Sequence, residues 1–373
     1  FLSLRHDVDL VTFGGGGAEW DARRQLRRFC PRVQILPVPA RDVAPATARH
    51  VFSTQPLAVR RYGSRDLMER LQALNETRRY DLIYVYSAAM APYGRAFPLT
   101  PKVLDLVEVS SLRWIEYGAM RAFPASVVFR REGNRLMQLE TQAVDEFQRV
   151  LLASETEAEV LRGLAPGNKR IYSLKTPAPP HAPLIRRASA VPTVLFASHL
   201  DHQPNIDAIQ HFASEVFPRI RDRHADAVLR IAGREPPPEI RRLALEPGIF
   251  LDDQVRDLRE LYSSAWVAAV PHRVSRGVRN EILEALTLGA ATVCTREAFV
   301  GVDAIPGTDL MVADDDTDMA RMIEDLFADP QLRDRLGFRA RRAMLNNYSH
   351  WSIALRLEEI IEAALRENLL PTP

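Results

Sequence analysis

Cysteine is almost missing from these 373 residues: only Cys30 and Cys294 occur, far apart and without partners at metal-ligand spacing. That excludes a disulfide framework, a zinc knuckle and an iron–sulfur site as organising devices. Lysine is nearly as scarce. Lys102, Lys169 and Lys175 stand alone, and arginine supplies the rest of the 49 basic residues. The arginine excess reflects a GC-rich genome rather than nucleic-acid binding, because no aromatic-interleaved RNA motif and no zinc-finger spacing accompanies it. Nucleic acid is therefore not an expected partner. No apolar run reaches the roughly 18 residues that span a bilayer, and no signal-peptide pattern is visible. The expected setting is a reducing, cytoplasmic compartment, with at most a peripheral contact at the inner face of the cell membrane.

What is present is ordinary globular composition, 46% apolar and 26% charged. At roughly 100–200 residues per domain the length suggests two domains. The net charge of +1 hides a split: residues 1–180 hold 26 Lys+Arg against 19 Asp+Glu, leaving the second half acidic. A basic half fits a phosphate-bearing molecule or an anionic membrane surface, and it also fits ordinary surface variation.

Strand-like and helix-like stretches alternate along the chain. FLSLRHDVDLVTF reads as the last turn of a helix running into a strand, with no initiating Met. An opening strand and loop are expected to precede it. Strands are expected at 7–13, 32–38, 80–87, 102–110 and 149–154. Helices are expected at 18–30, at 64–76 with Ser64 as N-cap, and in a long stretch over 113–149. Five prolines in TPAPPHAPLIRRASAVP (176–192) mark an interdomain linker. Strands then follow at 191–198, 227–233, 249–253, 266–272, 291–296 and 310–315. The intervening helices include NEILEALTLG (280–289), which ends in a glycine cap. A final helix, 351–367, carries a broad apolar side and is expected to return to the first domain. This pattern predicts two doubly wound α/β domains, with ligand at the carboxyl ends of the strands. The boundaries are 1–175, 176–190, 191–350 and 351–373.

VPHRVSRGVRNEILEALTLGAATVCT (270–295) is the richest stretch for chemistry. A strand ends at His272, a basic loop with Gly277 follows, and a helix begins at Asn280. Such a helix start suits a phosphate, and Arg273, Arg276 and Arg279 add positive charge. Glu281 reads as an exposed charge. Glu284 lies inside the apolar frame ILEAL, where a carboxylate needs a partner, so a ligand-binding role is favoured.

VLFASHLDHQPNIDAI, RIAGREPPPEI, FLDDQVRDLRELYSSAWVAAVPHR and RGVRNEILEALTLGAATV, with GVDAIPGTDLMVADD and YSHW, resemble the donor domain of a GT-B glycosyltransferase. The type is the retaining family 4, or glycosyl transferases group 1. In detail the sequence resembles the sugar transferases of PEP-CTERM/exosortase exopolysaccharide clusters. CPRVQILPVP, YDLIYVYSAAMAPYG, VLDLVEVSSLRWIEYGAM, RREGNRLMQLE and LLASETEAEVLR support that in the first half. The resemblance implies a GT-B fold of two Rossmann-like domains facing a cleft, with the first strand missing. It places the ribose-holding glutamate on Glu284 and a glycine under the diphosphate or sugar on Gly277. The family's first glutamate falls on Arg276, a departure that affects how the donor sugar is bound. Gly233 and Arg234 fall at the nucleotide cleft, Val255 at the turn under the base, and His199 after the first donor-domain strand. Where many members have a catalytic-side histidine, this chain has Ser87.

In the first half, Asp105, Glu108, Ser110 and Ser111 gather at the end of a strand. Glu108 and Asp105 are candidate catalytic carboxylates; Ser87, Ser110 and Ser111 are acceptor-side candidates. The alternative is that both carboxylates simply point outward on an edge strand. GGGG at 14–17 lacks the residues of a phosphate loop and reads as a surface connection. His199 and His202 have no third ligand and line the cleft rather than bind zinc. The DDD at 314–316 reads as a solvated loop. The resulting expectation is transfer of a sugar from a UDP- or GDP-sugar to a glycan or lipid-linked acceptor. No cofactor and no metal are needed, because the helix start and the arginines offset the diphosphate charge. Two rivals remain open: a non-catalytic nucleotide- or glycan-binding subunit, and a nucleotide-sugar epimerase.

Overall fold

A computed structural model describes residues 2–14, 19–39, 53–119, 121–178, 187–255, 257–274 and 277–369. Gly15 to Gly17, most of the Pro-rich linker, and Arg276 lie outside those residues. The chain divides into two compact units, Phe1–Lys175 with Ile353–Pro373, and Thr176–Ser352.

The first unit holds two parallel sheets. β1 (Asp9–Gly14) pairs with β2 (Arg32–Pro37). β3 (Ile83–Tyr86), β4 (Lys102–Val107), β5 (Arg149–Leu152) and β6 (Ile171–Ser173) form the other, in the order β3-β4-β5-β6. Parallel pairs require crossovers. Helix Glu155–Leu164, capped by Ser154, supplies the one between β5 and β6. Helix Arg65–Thr77 leads from the first sheet to the second, its first turn capped by Ser64, whose hydroxyl accepts from the Leu67 N–H. Val85, Leu104, Leu106, Val150 and Leu152 build the core between sheet and helices. The stretch expected as one long helix is two, Ser110–Ala119 and Ala125–Glu146. Pro124 stands at the break, because its ring and missing N–H end a continuous helical ladder.

Helix His350–Leu369 packs on this unit. Its Ile360 and Ala364 bury against Val103 of β4 and Leu151 of β5. Arg149 donates to both carboxylate oxygens of Glu367, at 2.7 and 2.5 Å, and Glu358 sits 2.8 Å from the His6 ring.

The second unit is a six-stranded parallel sheet. Its strands are β7 (Thr193–Ala197), β8 (Val228–Ala232), β9 (Ile249–Asp252), β10 (Val267–Val270), β11 (Thr292–Thr295) and β12 (Met311–Ala313). Their order is β12-β11-β10-β7-β8-β9. The chain starts mid-sheet, winds out through β8 and β9, returns beside β7 as β10, and winds the other way. β7 and β10 therefore flank a topological switch point, where ligands of doubly wound sheets bind. All five β7 residues are buried, as befits a strand covered on both faces. The helix after β7 carries a π-turn at Phe212–Val216, where the Phe217 N–H reaches back to the Phe212 carbonyl just before Pro218.

Candidate functional site

Three segments converge at the switch point of the second unit. Ser198 follows β7, His272 follows β10, and helix Asn280–Leu288 begins after the β10 loop. Leu283, Leu286 and the other apolar residues of that helix are buried, which anchors it to the sheet. Gly289 ends it in the left-handed conformation (φ 73°) that a glycine adopts without strain.

The two glutamates of this helix sit about one turn apart, and both are half-buried. Glu281 accepts from the Ser198 hydroxyl at 2.6 Å. Burial alone would raise its pKa, but that bond, with the charge of Arg279, holds it below the usual carboxylate range. The expectation of an exposed Glu281 is thus corrected: its partner lies 83 residues earlier in the chain. For Glu284 the balance runs the other way. Burial, and then the neighbouring Glu281, push its carboxyl above the ordinary value, with His199 opposing them.

His272 is fully buried and its ring stacks on Phe196, centroids 6.1 Å apart. Its Nε2 lies 2.9 Å from Asn205 Oδ1, while Asn205 Nδ2 donates to the His199 carbonyl at 2.8 Å. Asn205 Oδ1 is therefore an acceptor, and the His272 proton belongs on Nε2. Burial, and next Arg279, keep His272 below its normal pKa, so it is neutral. The imidazole ties the end of β10 to the loop after β7. Arg273 is exposed and paired with Asp207 at 2.6 Å. Arg279 donates to the Val274 carbonyl at 3.0 Å, bracing the loop that carries Gly277 (φ 71°). Asn280 and His199 are exposed.

Gly233 closes the far side, after β8. A Cβ there would lie 2.1 Å from the Ser198 carbonyl and 2.6 Å from Leu200. Only glycine permits this approach. Arg234 is exposed beside it, and Val255 packs against the cluster of Ala197, Ala232 and Ala285.

The first unit's strand ends look different. Asp105 lies on interior strand β4, not on an edge. It accepts from the Tyr84 hydroxyl at 2.6 Å and the Val107 N–H at 3.1 Å. Burial still raises its pKa. Glu108 is paired with Arg113 at 2.6 Å and accepts from the Ser110 hydroxyl at 3.2 Å. Ser111 is fully buried. Its hydroxyl and N–H donate to Glu140 at 2.5 and 3.1 Å, so it belongs to the framework and is corrected as an acceptor contact. Ser87 sits at φ 79° and accepts from the Ala89 N–H.

Residues 191–329 match the model of the family described as Glycosyl transferases group 1. No curated protein matches the chain. Among solved structures, the chain is similar to a sucrose-phosphate synthase from Thermosynechococcus elongatus. The identity is 14% and the TM-score 0.66, over 96% of this chain and 100% of that one. It is similar to Anabaena Alr3699/HepE, solved with UDP, at 13% identity and TM-score 0.64, over 95% and 100%. A glycosyltransferase from Rickettsia africae ESF-5 gives 10% and 0.63, over 96% and 99%. The fold is α/β with parallel sheets, of the GT-B type.

In the second unit, sequence reasoning missed Ser198 as the partner of Glu281, and Asn205 as the partner of His272. Both are tertiary contacts. The only local hint was that Ser198 and His199 directly follow a strand. In the first unit it missed Glu140, whose carboxyl is pushed up to about 7 by burial ahead of every other influence. Among the described residues no helix is long and apolar enough to cross a membrane.

Proposed function

We propose that this protein is a glycosyltransferase that takes a sugar from a nucleotide-sugar donor and passes it to a glycan or lipid-linked acceptor. The observation that carries the reading is the switch point of the second unit. There a half-buried carboxylate, Glu284, lies one turn into a helix whose start is flanked by Gly277 and Arg279. A carboxylate so placed accepts hydrogen bonds from vicinal hydroxyls such as those of a ribose. The helix start and its loop favour a diphosphate. HepE, a relative in fold, is solved with UDP and with UDP-glucose, which supports a uridine nucleotide as the first probe.

The finer reading is a retaining, metal-independent transfer of a hexose in bacterial exopolysaccharide synthesis, with the first unit receiving the acceptor. Glu108, half-buried and paired with Arg113, is the side chain we assign to acceptor hydroxyls, Asp105 and Ser111 being tied into the framework. That engagement is also what favours the second reading, a nucleotide-binding subunit without transfer.

Titration with UDP tests the site. Glu284→Ala should weaken binding by about 10- to 100-fold, the worth of a hydrogen bond to a charged group, and leave thermal unfolding unchanged. Unaltered UDP affinity in a folded variant rejects the site. UDP binding without release of UDP from UDP-sugars, across a panel of glycan acceptors, selects the non-catalytic subunit.

A further inference from the structure

Helices Ser110–Ala119 and Ala125–Glu146 pack closely side by side. Two glycines allow it. A Cβ on Gly133 would meet Ile115 at 2.6 Å and the Ser111 carbonyl at 2.8 Å, and one on Gly118 would meet the Ser126 carbonyl at 3.1 Å. Near the tip of this hairpin Trp114 and Phe129 pack with ring centroids 5.1 Å apart, and the Arg121 guanidinium lies 4.6 Å over the Phe129 ring.

Phe123 is 83% exposed and Val127 is 43% exposed. Arg121, Arg130 and Arg131 are exposed around them. Elsewhere exposed arginines commonly pair with carboxylates one turn away, as Arg65 does with Glu69 and Arg321 with Asp325. Between Tyr117 and Gln138 the sequence holds a single carboxylate, Glu132. That one is fully buried, accepts from the Leu57 N–H, and lies 3.7 Å from Arg135. Among the described residues Arg121, Arg130 and Arg131 have no ion-pair partner, so the tip combines unpaired positive charge with a bare aromatic ring. An anionic bilayer complements both: arginines meet phosphates at the headgroup level while an aromatic ring settles beneath them.

We propose that this hairpin tip is a docking surface for an anionic lipid bilayer. The inference stands apart from the transferase reading and needs no activity for its test. The full chain is sedimented with phosphatidylcholine vesicles, with and without phosphatidylglycerol, at low and high salt. Binding should require phosphatidylglycerol and fall with salt. Arg130→Ala with Arg131→Ala should weaken it about 25-fold, at about fivefold per cation near the surface. Phe123→Ser should weaken it while leaving the salt dependence. The control Arg65→Ala with Arg70→Ala, exposed cations of the same unit that are paired with Glu69 and Asp66, should change it less than about twofold. All substituted side chains are exposed, and matching thermal unfolding verifies that each variant folds. No binding to phosphatidylglycerol vesicles, or undiminished binding by the tip variants, overturns the proposal. So does an equal loss in the control. Self-association that Phe123→Ser abolishes, without vesicle binding, would make the occupant a second copy and equally overturn it.

Discussion

At the carboxyl edge of the second unit's sheet, Glu281 and Glu284 stand on a helix, and Glu281 meets a side chain, the Ser198 hydroxyl. At the same edge of the first unit, Asp105 and Glu140 bond the Tyr84 and Ser111 hydroxyls and, with Glu157, also tie down main-chain N–H groups. Asp105 accepts from the Val107 N–H, Glu157 from the Val109 N–H at 2.6 Å, and Glu140 from the Ser111 N–H. One edge holds two acids on a helix and closes at a glycine with no room for a side chain. The other spends its acids on fixing its own main chain. Residue type alone does not distinguish a binding carboxylate from a scaffolding one; the partner does.

The largest test of this contrast is at Gly233. Its missing side chain is what lets the β8 edge close on Ser198, and a Cβ would sit 2.1 Å from a backbone carbonyl. Backbone cannot step aside as a flexible side chain can. Gly233→Ala should cost more than about 3 kcal/mol and abolish UDP binding. A variant with native unfolding and native UDP affinity would show that the close approach is not needed.

The next test is on the scaffolding side. Glu140 is fully buried, and its carboxyl is raised from 4.5 to about 7, by burial first. The folded protein therefore holds this proton more tightly than the unfolded chain does. The resulting stability is fully present below about pH 4.5 and is lost as pH rises through about 7. The loss is about 3 kcal/mol over that window. Glu140→Gln should flatten that part of the stability–pH curve. An unchanged slope in the variant would place the titration elsewhere.

The same contrast explains how much was legible in the sequence. Ser64, Ser154 and Gly289 mark their helix ends locally, and the switch point follows from alternation of strands and helices. The apolar frame ILEAL correctly suggested that Glu284 is not simply solvated. Pro124 was a local signal for the break in the long helix, overridden by the apolar periodicity around it. Glu281 was misread because the Ser198 hydroxyl that draws it in lies on another strand, and no spacing reports that. Glu140 and Ser111 are 29 residues apart and meet only because two helices pack on their glycines. Buried polar pairs of this kind are written in tertiary structure.

Ser198 sharpens the comparison by a smaller amount. Its hydroxyl donates to an ionised, half-buried carboxylate, so Ser198→Ala should cost about 1.5–3 kcal/mol and raise the Glu281 pKa. A carboxyl titration followed by NMR would read the second effect directly, and an unmoved Glu281 would sever the pair.

The smallest effect concerns strain in the first unit's edge. Val107 adopts φ 68°, a conformation that costs a β-branched residue about 1–2 kcal/mol. The surroundings impose it. Its N–H is held by Asp105, its carbonyl accepts from the Ala153 N–H at 2.7 Å, and Glu157 and Glu140 fix the next turns. Strain of this kind survives only where neighbours over-determine it. Replacing the side chain confounds strain with lost packing, so the informative pair is Val107→Ala against Val107→Gly. Both lose the valine contacts, but only glycine relieves the backbone. In an ordinary strand glycine is the less stable of the two by roughly 0.5–1 kcal/mol. Here the order should invert, with Val107→Gly the more stable by roughly 0.5–1 kcal/mol in urea unfolding. If alanine proves the more stable, Val107 is relaxed, and the first unit's carboxylates are holding an unstrained chain.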